Sequence, residues 1–83
     1  MGKELILYSR TDCALCLEME EELRPILRDT SITVRPVNIE GDHELQHRYG
    51  ARIPVLVSGN QEICELKLDV DALRQFLKST IEQ

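Results

Sequence analysis

Apolar and polar positions follow two rhythms along the chain, and the changes of rhythm mark seven elements. Glu4 to Ser9 holds the run Leu5-Ile6-Leu7-Tyr8, too short for a helix and fitted to a strand covered on both faces. From Ala14 to Arg28 the spacing is helical. Leu15, Met19, Leu23 and Leu27 fall on one face with Cys16 and Ile26 nearby, and Glu18, Glu20, Glu21 and Glu22 fall largely elsewhere. Acids gather in the first half of this segment and Arg24 and Arg28 toward its end, as the macrodipole prefers. Asp12 is the expected N-cap, and Pro25 is expected to kink the helix or free one hydrogen bond.

Ile32 to Ile39 is β-branched and partly alternating, a strand that Pro36 pushes toward a sheet edge or a bulge. Asp42 to Tyr49 reads as a short helix with Leu45 and Tyr49 four apart, opened by Gly41-Asp42 and ended by Gly50. Arg52 to Ser58 is a third strand with Pro54 near its start, and Gly59-Asn60 is a turn. Gln61 to Leu66 pairs back as a fourth strand and completes a hairpin. The last helix runs from Val70 to about Thr80, with Leu73, Phe76, Leu77 and Ile81 on its apolar face. The order is β-α-β-α-β-β-α. Its opening alternation implies a parallel pair joined by a right-handed crossover, and its closing hairpin adds antiparallel strands. The expectation is one α/β domain over residues 1–83, a mixed four-stranded sheet with helices on both faces.

Composition narrows the function. The 83 residues include one Phe, two Tyr and no Trp, so the core must be aliphatic. A net charge of -5, with no basic run, argues against nucleic acid and anionic membranes as partners. No apolar stretch approaches transmembrane length, and the N-terminus lacks the apolar region and cleavage site of a signal peptide. Three cysteines cannot staple a small secreted domain. The expected compartment is therefore the reducing cytoplasm, where a close cysteine pair is catalytic or metal-binding rather than structural.

That pair is Cys13-Ala14-Leu15-Cys16, placed where the first strand gives way to the first helix. Cys13 falls at or just before the first turn, with Cys16 one turn further in on the same face, so the two thiols can close a small ring and reopen it. A cysteine at a helix start feels the positive end of the dipole and unpaired N–H groups, which favour the thiolate that attacks disulfides. Arg10 adds positive charge, while Asp12 and the glutamates oppose it. The Cys13 thiol is expected below the unperturbed value of about 8.5. Cys13 is the candidate attacking thiolate and Cys16, the less exposed, the resolving one.

In these residues the chain resembles the glutaredoxin-like branch of the thioredoxin superfamily. The matching pieces are Leu7-Tyr8-Ser9 with Cys13-Ala14-Leu15-Cys16, then Arg52-Ile53-Pro54-Val55-Leu56, then the hairpin and last helix. The resemblance covers nearly the whole chain. It implies a thioredoxin-like, glutaredoxin-type three-layer sandwich and a small thiol-disulfide oxidoreductase serving electron transport and cell redox homeostasis. It also implies a cis Ile53–Pro54 bond opposite the cysteines, where the backbone receives an extended thiol substrate as an added strand. Arg10 falls where that family often carries a Lys for a glutathione carboxylate, and Arg52 is a second candidate for that role.

The chain departs from the glutathione-using pattern at three places. Ala14-Leu15 replaces Pro-Tyr between the cysteines, Arg52-Ile53 replaces Thr-Val before the proline, and Cys64 to Asp69 lacks the Gly-Gly pair. The expected substrates are thiols or disulfides of proteins or small molecules. No bound cofactor is expected, with glutathione as a possible co-substrate or a flavoprotein reductase as donor, and the protein is expected to be a monomer. Two other classes compete: a metal or iron–sulfur carrier using the same cysteines, and a non-catalytic binding module on the same fold. One Cys-x-x-Cys supplies only two of the usual four thiolates. His43 and His47, four apart, are read as surface residues, and Cys64 as a small apolar strand residue or a regulatory thiol.

Overall fold

The structure, a computed structural model, describes residues 3–81. Its elements are β1 (Glu4–Ser9), α1 (Ala14–Leu27), β2 (Thr33–Asn38), α2 (His43–Tyr49), β3 (Val55–Ser58), β4 (Gln61–Glu65) and α3 (Val70–Ile81), in the expected order. The strands form one sheet in the order β2-β1-β3-β4. β1 and β2 are parallel, and β1–β3 and β3–β4 are antiparallel. Pro36 explains why β2 takes an edge: a strand with a missing donor is tolerated where only one neighbour must be satisfied. Gly59, at φ 58°, begins the tight turn between β3 and β4.

Side chains on β1 and β3 point alternately to two cores. Leu5, Leu7 and Leu56 meet Met19, Leu23 and Leu27 of α1 and Leu73 and Phe76 of α3 on one face. Val55 and Val57, with Tyr8 packed against them, meet Tyr49 of α2 on the other. The molecule is thus a three-layer sandwich, with α1 and α3 against one face of the sheet and α2 against the other.

Several boundaries differ from the sequence reading. Asp12 is not the N-cap of α1. Cys13 is, in an extended conformation (φ -104°, ψ 103°), while Asp12 adopts φ 56° one residue earlier. Pro25 lies inside α1 without ending it. It is exposed, as is Glu21, whose carbonyl its ring cannot bond, so the carbonyl left without a helical partner does not belong to a core residue. The third strand begins at Val55 rather than Arg52. Arg52 instead donates its N–H to Tyr49 O at 2.8 Å, closing a turn after α2. Asp42 caps α2, its Oδ1 accepting from Leu45 N at 3.0 Å. Gly50 ends that helix in a right-handed conformation, with no left-handed cap. The Ile81 side chain and the Met1-Gly2 terminus lie outside the described residues.

Candidate functional site

The strand register fixes which groups share one end of the sheet. Val37, Tyr8, Val55 and Glu65 form one row across the four strands. Just beyond that row lie Ser9, Pro54 and Leu66, so the β1–α1 loop, the start of β3 and the end of β4 converge there. The N-terminus of α1 opens at the same place.

Cys13 and Cys16 are joined by a disulfide, with Cα atoms 5.2 Å apart. The spacing follows from the helix start, since an N-cap and the third residue beyond it lie one turn apart. Cys13 Sγ also takes the place of a capping oxygen and accepts the Cys16 N–H at 3.2 Å. Cys13 keeps 9% of its surface exposed and Cys16 4%. Both pack with Ile39, Tyr49, Ile53 and Val55. The Ile53–Pro54 bond is cis, and both residues are buried. The Pro54 carbonyl accepts from Leu66 N at 2.8 Å, which ties the loop after β4 to this segment.

The loop that delivers Cys13 is clamped from β2. Glu40 Oε1 accepts the Thr11 N–H at 2.7 Å, Asn38 donates its side-chain amide to Thr11 Oγ1 at 3.2 Å, and Asn38 Oδ1 accepts the Glu40 N–H at 2.8 Å. Hydrogen bonding from Thr11 is the main reason the Glu40 carboxyl is held below its ordinary value of 4.5, with Asn38 and the charge of Arg10 adding to it. A depressed folded-state value means that the bound carboxylate adds stability above pH 4.5. That contribution is lost as pH falls through the folded-state value. Glu40→Gln is therefore expected to lower Tm at pH 7, and by clearly less at pH 3, in paired thermal melts.

The expected arginines are placed differently from each other. Arg10 is exposed and shares a shallow depression with Glu40, Gly41 and Gln46. Arg52 turns toward the hairpin, where its guanidinium holds both carboxylate oxygens of Glu62, at 2.7 and 3.2 Å, and Glu65 at 3.2 Å. It also donates to Arg48 O and lies 5.5 Å from the Tyr49 ring centroid, a ring that stacks on Tyr8 at 4.2 Å. Hydrogen bonding to Arg52 holds the Glu62 carboxyl low.

Sequence reasoning missed the Thr11–Asn38–Glu40 clamp, because no local pattern pairs residues 27 and 29 positions apart. It also missed the left-handed Leu66, at φ 68°, where the side-chain type gives no such signal.

Cys64 lies on β4, half-buried and packed against the opposite core from the disulfide. Burial pushes its thiol up, so it stays protonated at neutral pH. In the reduced protein, iodoacetamide at pH 7 is expected to modify Cys13 well before Cys64, as peptide mapping over time would record. His43 and His47 are exposed on α2, and among the described residues no group of three or more His, Cys, Asp or Glu is placed to hold a metal ion. No described helix is long and apolar enough to cross a membrane.

Comparison with known proteins adds to this geometry. Residues 4–78 match the model of the glutaredoxin-like domain family (DUF836). The solution structure of protein Ne2328 from Nitrosomonas europaea is 32% identical, over 92% of each chain, with a TM-score of 0.83. The X-ray structure of a structural-genomics target protein from X. campestris is 33% identical, over 90% of this chain and 96% of its own, with a TM-score of 0.67. Thioredoxin 1 of Thermosipho africanus shares the fold at 10% identity, over 93% of this chain and 97% of its own, with a TM-score of 0.60. No curated protein matches the sequence.

Proposed function

The chain belongs to the glutaredoxin-like domain family, and from that premise we propose that it is a small thiol-disulfide oxidoreductase in which Cys13 attacks and Cys16 resolves. The observation that carries this is the Cys13–Cys16 disulfide at the head of α1, with Cys13 Sγ serving as the helix cap. In the reduced protein the Cys16 N–H and the helix start favour a thiolate on Cys13. That thiolate attacks one sulfur of a substrate disulfide. The substrate S–S bond breaks, one substrate thiolate leaves and takes up a proton, and a mixed disulfide forms on Cys13. The Cys16 thiol, losing its proton to solvent, then attacks Cys13 Sγ and displaces the second substrate thiolate. The substrate gains two electrons and two protons, and the protein is left with the disulfide of this structure.

The residue exposures support this division of labour, since Cys13 is the more exposed residue and Cys16 the more covered. Ile53 and Pro54 form the wall against which a substrate backbone lies, and Arg10 is the cation available near the attacking sulfur. Arg52 serves a substrate carboxylate only by giving up Glu62 and Glu65. The cycle is completed by glutathione or a flavoprotein reductase, in a reducing cytoplasm, by a protein acting as a monomer. Two coupled assays on a small disulfide test the proposal, one with glutathione and its reductase and one with thioredoxin reductase. Steady NADPH oxidation in either, lost in Cys13→Ser, is expected. No oxidation in either, with both couples active on a control protein, would refute it.

A further inference from the structure

β1 ends at Ser9, and the chain must cross to Cys13 without the support of the sheet. Ile39 N–H, donating to Ser9 O at 2.9 Å, is the tie between β1 and the end of β2. Past it, among the described residues, the hydrogen bonds that join residues 10–12 to another part of the fold are the two at Thr11. Its N–H donates to Glu40 Oε1 at 2.7 Å, and its Oγ1 accepts from the Asn38 amide at 3.2 Å. Glu40 is itself held in place. Asn38 Oδ1 accepts its N–H at 2.8 Å, and the Asp42 N–H closes the turn on Ile39 O at 3.1 Å, with Gly41 at φ 86° making the bend. Ile39, next to Glu40, is buried in the same core cluster as Cys13. One carboxylate just past β2 thus holds the backbone two residues before the attacking sulfur.

That backbone leads into a specific contact. Asp12 takes a left-handed turn (φ 56°), Cys13 is extended, and Cys13 Sγ meets the Cys16 N–H at 3.2 Å. In the reduced protein the same N–H stabilises a thiolate on Cys13, by hydrogen bonding to the charged form. A carboxylate that accepts a backbone N–H makes a charge-assisted bond, roughly twice as strong as a neutral one. Glu40 also acts in the other direction, because its charge through space disfavours a second anion nearby. The two effects have opposite signs at Cys13, which makes them separable.

We infer that Glu40 is a positioning residue for thiol exchange: by holding the Thr11 N–H, its carboxylate keeps Cys13 Sγ where the Cys16 N–H stabilises the thiolate. This rests on the oxidoreductase reading and adds no step to it. Thr11, Asn38 and Glu40 are exposed, so water competes for these bonds and the effect is a few-fold change of rate, not a loss of activity.

The test follows alkylation of Cys13 by iodoacetamide in the pre-reduced full chain, by peptide mapping, between about pH 5 and pH 10. Glu40 stays ionised across this range, since its carboxyl is held below 4.5. The other ionisable groups around Cys13 are Arg10 and Asp12 in its own loop, Cys16, Tyr8 of β1 and Tyr49 of α2, while Arg52, ahead of Ile53, is bound to Glu62 and Glu65. The variants leave all of them in place. Glu40→Ala loses the acceptor. Its rate on the acid limb is expected to be about threefold below wild type, converging with it on the alkaline plateau, where Cys13 is a thiolate in both. Glu40→Gln keeps an oxygen for the Thr11 N–H without the charge, and is expected to react at or above the wild-type rate. Single-turnover reduction of bis(2-hydroxyethyl) disulfide at about pH 6 is expected to fall in the same order. Val34→Ala, paired with Leu5 toward the other end of β2, is the control for a general loss of stability and is expected to leave the profile where it is.

Faster acid-limb reaction in both Glu40 variants would make Glu40 only a nearby charge, and would overturn the inference. So would an unmoved profile in Glu40→Ala, a fall in Glu40→Gln as large as in Glu40→Ala, or an equal fall in Val34→Ala. Each of these leaves the oxidoreductase reading standing, because that reading is tested by the wild type's own reduction of bis(2-hydroxyethyl) disulfide. If the wild type does not reduce it at all, the oxidoreductase reading falls and takes this inference with it.

Discussion

Cys13→Ser is expected to abolish disulfide reduction, a loss on the order of 10³-fold or more, because the serine hydroxyl offers no thiolate, Cys16 is the more covered of the pair, and Cys64 packs against the other core. Cys16→Ser is expected to behave differently. Attack still occurs, the first substrate thiol is still released, and the mixed disulfide on Cys13 then persists because nothing displaces it. Intact-mass measurement after mixing reduced protein with a peptide disulfide separates the cases. The wild type returns to its oxidised mass, Cys16→Ser gains one peptide, and Cys13→Ser gains none. The asymmetry follows from position. Both cysteines are buried in one core, but Cys13 is the cap at the end of a loop and is 9% exposed, whereas Cys16 sits one turn inside α1 and is 4% exposed. A stable adduct on Cys13→Ser with none on Cys16→Ser would reverse the two roles.

Leu7→Ala is expected to remove about 3 kcal/mol of stability, within the range of roughly 2–5 kcal/mol seen for buried leucines. Leu7 is fully buried on β1, which is paired on both sides, and it faces both α1 and α3. The void cannot be filled by movement of a single neighbour, since strands and helices from three elements border it. A chain of this length has a total stability of only about 4–12 kcal/mol, so one such loss leaves a large unfolded fraction on mild warming. Urea titration at constant redox state would read the change as a midpoint lowered by about 2 M or more, with the slope unchanged. Val34→Ala is the comparison. Val34 is half-buried on the edge strand β2, and its truncation is expected to cost about 1 kcal/mol or less. Equal effects from the two would mean that the two-core packing described here is not what stabilises the domain.

The elements were legible because the chain changes its apolar period cleanly. Leu5-Ile6-Leu7 against the four-residue spacing of Leu15, Met19, Leu23 and Leu27 leaves little choice between strand and helix, and Pro36 alone argued for the edge position that β2 takes. The cysteine pair and Ile53–Pro54 were legible as one unit only through the resemblance to a known family; their shared core is a product of the fold. The misread details were local competitions. Asp12 is the better capping residue by type, but Cys13 occupies the cap and Asp12 takes a left-handed turn before it. Arg52 reads as a free cation until the hairpin brings Glu62 and Glu65 across from it. Leu15 shares the four-residue spacing of Met19, Leu23 and Leu27, yet it is 40% exposed in the first turn of α1.

The most direct test of the two-cysteine switch is a redox titration of the full chain in buffers of defined potential, read by thiol trapping and mass. One reversible two-electron transition confined to Cys13 and Cys16, with Cys64 reduced throughout and a midpoint between roughly -200 and -270 mV, is the expected result. A pair that stays reduced across that window, or a disulfide that forms with Cys64 instead, would contradict it.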